Sequence, residues 1–353
     1  MKISLSYDET LKALSPIFDG EDADALINGL LLPLDPKTLQ PKKEEDIDLY
    51  LRKKAYGLLS YEEKKEAKRV LFDSEKIPPI VKLDPTPFSD NPYAKILSSL
   101  PPYEKGDLCF LSLLTPAYLP FSYKEKEISK TGNDLTSLGY FAFPFSCFAL
   151  QKGGVTWMSL LPHEIMTMEK PLSMAKGKVL CLGLGLGYFP FMAASKDEVS
   201  EVTVIEKDPA ILSFFKELIL PALPCKEKLH LVEADALKPL KEEYDFCFAD
   251  LWHDPEDGLP LYCRLLKDKK AEVETYWIEK DILVYLRRYL AALVMESLDG
   301  YGEADYRKEG EGVDRIYGQL YFATNNVTIS SVASLKEFLS LDNVKKIAKS
   351  IDL

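Results

Sequence analysis

The stretch Lys178 to Ala194, KVLCLGLGLGYFPFMAA, is an apolar run interrupted by three glycines at alternate positions, Gly183, Gly185 and Gly187. Glycine weakens the interior of a strand, but it admits positive φ and lets a ligand press against the backbone. A strand that ends in such a turn and feeds a helix offers free N–H groups and the positive end of a helix dipole. Downstream the pattern repeats. EVTVIEKD, KLHLVEAD, YDFCFADLW and AEVETYWIE are short apolar runs, separated by helical segments such as DPAILSFFKELILPAL and LPLYCRLLKDKK. Near-continuous apolar strands alternating with helices predict a parallel sheet covered on both faces. Such a sheet binds ligands beyond the carboxyl ends of its strands, where the strand order reverses. The fold class is therefore α/β, doubly wound and mainly parallel, over residues 176–353. DILVYLRRYLAALVMESL and SLKEFLSLDNVKKIAKSI are expected as its closing helices.

Upstream the texture differs. Residues 1–76 read as helical, because DIDLYLRKKAYGLLSYEEKKEAKRVLF carries apolar residues at helical spacing and Ser60 with Glu63 forms a capping box. Seven prolines fall between Ile77 and Pro102. Proline fixes φ and removes a donor, so residues 77–105 are expected to wrap or link. Residues 106–175 break into short apolar and aromatic runs, DLCFLSLL, YFAFPFSCFAL and GGVTWMSLL, which predict a small β-rich region.

No apolar run approaches the ~18 residues of a membrane span, and the opening MKISLSYDETLKALSP lacks a signal-peptide core. Six cysteines without CxxC spacing predict reduced thiols and a cytoplasmic protein. With three histidines and no HExxH, no metal site is expected. The net charge of −12 and the lack of a basic patch interleaved with aromatics predict no nucleic-acid partner. No membrane partner is expected either.

The glycine turn narrows the ligand. A dinucleotide fingerprint would need glycine or alanine at Tyr188 or Pro190. The spacing that fits is G-x-G-x-G, the turn of S-adenosylmethionine-dependent enzymes. Three acids follow on successive strand ends. Glu206 closes the second strand, where a carboxylate can accept from ribose hydroxyls. Asp235, next to Ala236, closes the third, where it can accept from an adenine amino group. Asp250 closes the fourth, beside the reacting centre. Asp208, before Pro209, reads as a helix cap. Tyr188 and Phe189 are expected to line the cofactor pocket, with a core role for Phe189 as the alternative.

Over residues 176–280 these features resemble the class I S-adenosylmethionine-dependent methyltransferase superfamily, and more narrowly its spermidine synthase-like branch. GGVTWMSLLPHEIMTMEKPL is similar to that branch's strand and YHEM helix. His163, Glu164 and Met166 match, while Pro162 stands in the tyrosine's place. DLWHDP is similar to its DSSDP loop with one extra residue, so Asp250 takes the place of the catalytic aspartate and Asp254 approximates the second acid. The β-rich region is similar to the branch's small N-terminal β domain. The resemblance implies a Rossmann-like methyltransferase fold, S-adenosylmethionine as cofactor and a transferase activity. Two places depart from it: Leu186 replaces the aspartate of aminopropyltransferases before the last glycine, and Cys181 replaces the acid common in methyltransferases. Both would hold the cofactor's ammonium; Glu164 or Asp250 is the candidate substitute.

Group transfer from a sulfonium needs acceptor and carbon held about 3–3.5 Å apart and aligned. Asp250 could orient an amine acceptor and take its proton, with Asp254 and His253 as helpers. His253 reads equally as an exposed loop residue, His163 equally as part of a helix start, His230 as structural and Trp252 as packing. The leading expectation is a methyltransferase acting on a small-molecule acceptor, with a homodimer as the candidate assembly. The alternatives are an aminopropyltransferase-like polyamine enzyme, against which Leu186 counts, and a non-catalytic nucleotide-binding scaffold of the same fold.

Overall fold

The computed structural model describes residues 1–42, 45–238, 242–306 and 311–353. Helix α1 (Tyr7–Leu26) starts at Ser6, whose hydroxyl accepts from the Glu9 N–H while Glu9 reaches back to the Ser6 N–H. Helix α2 (Ile47–Gly57) is capped by Asp46, and α3 (Tyr61–Leu71) by the Ser60–Glu63 box that the sequence predicts. These helices enclose a small apolar cluster that includes Leu31, Leu51, Leu71 and Ile77. Arg52 is buried beneath them. It pairs with Asp48 at 2.8 Å and donates to the carbonyls of Ile77 and Pro78, tying α2 to the proline-rich run.

That run wraps onto the main core. Asn91 caps α4 (Pro92–Ser98), and Tyr93 and Leu97 on this helix are fully buried. Strands β1 (Leu108–Thr115), β2 (Phe145–Lys152) and β3 (Val155–Ser159) follow, antiparallel in the order β3-β2-β1, with Tyr103–Lys105 on the outer edge. The β1–β2 register runs from Leu108 opposite Lys152 to Thr115 opposite Phe145, and β3 carries a bulge between Thr156 and Met158. Helix α5 (Pro162–Met174) then leads into the central sheet.

The central sheet comprises β4 (Gly177–Leu182), β5 (Val199–Glu206), β6 (Leu229–Glu233), β7 (Phe246–Ala249) and β8 (Val273–Tyr276). Its order is β6-β5-β4-β7-β8 and every pair is parallel. Helices α6 (Tyr188–Ala194), α7 (Pro209–Phe214), α8 (Pro255–Leu265) and α9 (Glu279–Leu298) follow β4, β5, β7 and β8 in turn. Both faces are covered, which is why Val179, Leu180, Val202, Val204, Phe246 and Phe248 are all buried and the strands read as unbroken apolar runs. Phe189 of α6 stacks on Phe248 at 4.0 Å between ring centroids, so it belongs to the core. The chain moves outward from β4 through β5 to β6, then crosses back to β7. Strand order thus reverses beside β4, whose end carries the glycine turn, and a crevice at such a switch point is where sheets of this kind take ligands.

Away from this crevice, Asp134 is fully buried and accepts from Arg287 and Arg288 of α9 at 2.6 and 3.2 Å. Asp24 of α1 takes Lys126 and Arg288, so the N-terminal helices are joined to α9 by a connected ion network. Among the described residues, no helix is long and apolar enough to cross a membrane.

Candidate active site at the strand ends

The three glycines of the turn all have positive φ, but for different reasons. A Cβ on Gly183 would lie 1.9 Å from the Asp250 carbonyl oxygen, so the close passage of the β7 loop requires glycine there. A Cβ on Gly187 would lie 2.2 Å from the Phe215 ring and 2.8 Å from the Tyr93 hydroxyl. Gly185, at φ +55°, has no protein atom within 4 Å of where its Cβ would be. Packing explains the first and last glycines. The middle one leaves open space above the backbone, which is where a ligand can approach.

Glu206 braces the turn from the end of β5. Its Oε2 accepts the Leu184 N–H at 3.1 Å and its Oε1 accepts the Asp208 N–H at 2.8 Å. Asp208 caps α7, as the sequence predicts, and also receives Lys152 from the end of β2. From the neighbouring strand β3, the Trp157 ring packs edge-on against His253 at 4.6 Å. The β2–β3 hairpin therefore reaches both the β5 end and the loop after β7. Asp235 is exposed beyond β6, with its Oδ1 accepting from the Leu237 N–H, while Ala236 is buried.

Asp250 leaves β7 with its N–H donated to the Leu182 carbonyl at 2.8 Å. Burial and the charge of Glu206 push its carboxyl up to about 7. Glu164, in the first turn of α5, is pushed up to about 8 by burial and by the charge of Asp250. His163 beside it is held down to about 4 by burial and is neutral at pH 7. Among the described residues, neither Glu164 nor Asp250 is paired with a lysine, arginine or histidine. Glu206, Asp250 and Glu164 are thus three carboxyls whose charges act on one another in series, Glu206 on Asp250 and Asp250 on Glu164.

Several expected site residues are committed elsewhere. Asp254, expected as a second acid, is a helix cap: its Oδ1 accepts from the N–H groups of Glu256 and Asp257 at 2.8 and 3.0 Å. His253, expected as a helper or equally as an exposed loop residue, is exposed and bound to Asp257 at 3.0 Å, inside the same capping arrangement and turned toward Trp157. Tyr188, expected to line the cofactor pocket, is buried. Its hydroxyl accepts from Asn91 at 3.2 Å and its ring packs on Tyr93. Trp252 is buried packing, as read, and His230 lies exposed 3.7 Å from Glu201. Sequence reading missed Tyr93, whose hydroxyl donates to the Leu186 carbonyl within the turn, and Trp277, which reaches α5. Neither carries a local signal, because both act across about a hundred residues of chain.

A parallel sheet ordered third-second-first-fourth-fifth, with a glycine turn after its first strand and acids closing the second and fourth, is a doubly wound, Rossmann-like fold. No protein-family model matches the sequence, and no curated protein matches it. Among solved structures the chain is similar to a dimethyladenosine transferase from Plasmodium falciparum, with 20% identity and a TM-score of 0.27 over 37% of this chain and 45% of that one. It is similar to spermidine synthase from Thermotoga maritima, with 20% identity and a TM-score of 0.29 over 40% and 54%. A third neighbour is the 23S rRNA methyltransferase ErmE, with 15% identity and a TM-score of 0.27 over 53% and 97%. The chain thus spans about half the length of the first two. The dimethyladenosine and rRNA enzymes overturn the expectation that nucleic acid is excluded as a partner. The charge of −12 is a sum over the whole chain and does not describe the surface around one crevice.

Proposed function

We propose that the chain is an S-adenosylmethionine-dependent transferase, a methyltransferase whose acceptor enters beside Asp250. The observation that carries this reading is the coupled carboxyls Glu164 and Asp250, unpaired with a protein cation among the described residues, together with a glycine turn that packs against the Asp250 backbone and leaves open space over Gly185. The residues fit the cofactor. The turn Gly183–Gly187 and Glu206 would hold its ribose side, Asp235 and Ala236 its adenine side, and Glu164 or Asp250 its ammonium, in place of the acids that Leu186 and Cys181 displace. When bound, the sulfonium supplies the alkyl group that is transferred. At neutral pH Glu164 carries a proton and can donate it in a hydrogen bond, whereas Asp250, near 7, is poised to accept one from an acceptor. A small-molecule acceptor remains the first class to screen, with short RNA hairpins as a parallel arm.

The same acids favour a second reading. A decarboxylated cofactor brings positive charge without the carboxylate that this acidic site would have to accommodate, as an aminopropyltransferase-like enzyme would require. Calorimetric titration with S-adenosylhomocysteine and with decarboxylated S-adenosylmethionine, using Glu206→Ala as control, tests both. Micromolar binding of the first, weakened by the substitution, supports the methyltransferase reading. Preference for the second ligand supports the aminopropyl reading, and binding of neither refutes both.

A further inference from the structure

A continuous chain of buried hydrogen bonds joins the backbone beside Asp250 to the backbone beside Glu164. Trp252, two residues after Asp250, donates its indole N–H to the Trp277 carbonyl at 3.1 Å. Trp277 donates its own indole N–H to the Thr167 hydroxyl oxygen at 2.9 Å. Thr167 in turn donates to the His163 carbonyl at 2.8 Å, one turn back along α5 and adjacent to Glu164. All three side chains are buried.

The surroundings hold the chain in place from each end. The Trp277 N–H donates to the Ala249 carbonyl at 2.9 Å, at the peptide that leads into Asp250. Ile278 then takes φ 46° and ψ 38°, a left-handed conformation rare for a β-branched residue, where the chain turns into α9. Strain of this kind persists only where the surrounding contacts over-determine it. On the other side, a Cβ on Gly258 would lie 2.8 Å from the Trp252 ring, so α8 lies directly on that indole and fixes it. The His163 ring also meets the Trp277 ring edge-on at 6.1 Å.

We infer that Trp252, Trp277 and Thr167 form a positioning relay that holds the α5 first turn and the β7 loop in register, so that Glu164 and Asp250 stay together as one site. None of the three needs to touch a ligand. Plain packing would require only the bulk of the two indoles and of the threonine; the relay requires their polar atoms. The inference rests on the reading of these carboxylates as the ligand site, but its test needs no ligand. The titratable neighbours of the pair are Glu206 on β5, Cys181 on β4 and His163 on α5, and the substitutions below leave all of them in place.

The experiment is a carboxyl ¹³C NMR titration of ligand-free protein labelled at Asp and Glu, with Glu164→Gln and Asp250→Asn assigning the two resonances. It compares wild type, Thr167→Val, Thr167→Ser and Trp277→Phe, each checked for thermal unfolding. In Thr167→Val and Trp277→Phe the Glu164 titration is expected to fall by at least one pH unit as the carboxyls separate and take up water, while Thr167→Ser keeps the wild-type value. Unchanged titrations in both folded variants overturn the relay. Loss of the fold in both also overturns it, because the chain would then be holding the core and not the pair. If the relay behaves as expected but wild type binds no adenosyl ligand, the proposed function fails and the relay stands.

Discussion

Glu206, at the end of β5, accepts the N–H of Leu184 inside the glycine turn at 3.1 Å, so a carboxylate fixes the backbone of the turn. Its charge also raises Asp250. Replacing Glu206 by alanine should therefore do two things at once. It frees two buried-edge N–H groups, costing about 1–3 kcal/mol of stability, and it moves the Asp250 titration downward. Denaturant melts read the first effect and carboxyl NMR the second; a Glu206→Ala protein with wild-type stability and an unmoved Asp250 would contradict this role.

The turn glycines separate packing from binding. Gly187→Ala would drive a Cβ into the Phe215 ring and should lose stability by more than about 2 kcal/mol. Gly185→Ala has room for its methyl group and should lose only about 1–2 kcal/mol for a left-handed alanine. The same variant should lose adenosyl-ligand affinity by at least tenfold, because the methyl group occupies the open space. Equal ligand binding by folded Gly185→Ala and wild type would show that nothing lies over that glycine.

Stability should fall as pH rises toward 8. Asp250 and Glu164 hold protons in the folded protein up to about 7 and 8, against ordinary values of 3.8 and 4.5. Between roughly pH 4 and 8 the folded state therefore binds more protons than the unfolded chain, and stability decreases with pH over that window. Asp250→Asn and Glu164→Gln remove this dependence. At pH 8 each should be more stable than wild type by roughly 1–3 kcal/mol, and at pH 4 they should not differ from it. Thermal melts across that range check the sign, and wild type gaining stability with pH at these groups would reverse the account.

Asp134 tests a part of the molecule away from the turn. It is fully buried and carries Arg287 and Arg288, so Asp134→Ala leaves two guanidinium groups without it. A loss of about 3–5 kcal/mol is expected. Ligand affinity per folded molecule should be unchanged, measured calorimetrically below the melting transition. An affinity loss at constant fold would show that the ion network reaches the crevice.

The strands of the central sheet were legible because a sheet covered on both faces leaves runs such as KVLCL and YDFCFA with no polar alternation. The Ser60–Glu63 box and the Asp208 cap were legible because capping is local, spanning two or three residues. Asp250 and Asp254 were not separable that way. Both follow one strand within five residues, and only the fold shows that the carboxyl of one is raised by burial and by Glu206 while the other commits its Oδ1 to capping α8. Tyr93 and the Trp277–Thr167 contact were invisible for the same reason, since partners 93 and 110 residues apart leave no periodic trace. The contacts of Tyr188 were not legible either, because a residue directly after a glycine turn can point either way, and here it meets Asn91 and Tyr93.

On the proposed function, the Glu164–Asp250 pair reads positive charge on a ligand. The most direct measurement compares calorimetric affinities of decarboxylated S-adenosylhomocysteine, which carries an ammonium and no carboxylate, and 5′-methylthioadenosine, which carries neither, at pH 8. Wild type should favour the charged ligand by at least tenfold, and the Glu164→Gln, Asp250→Asn double variant should lose that preference while keeping the neutral ligand's affinity. Equal affinities in wild type, or a preference that survives in the double variant, would contradict it.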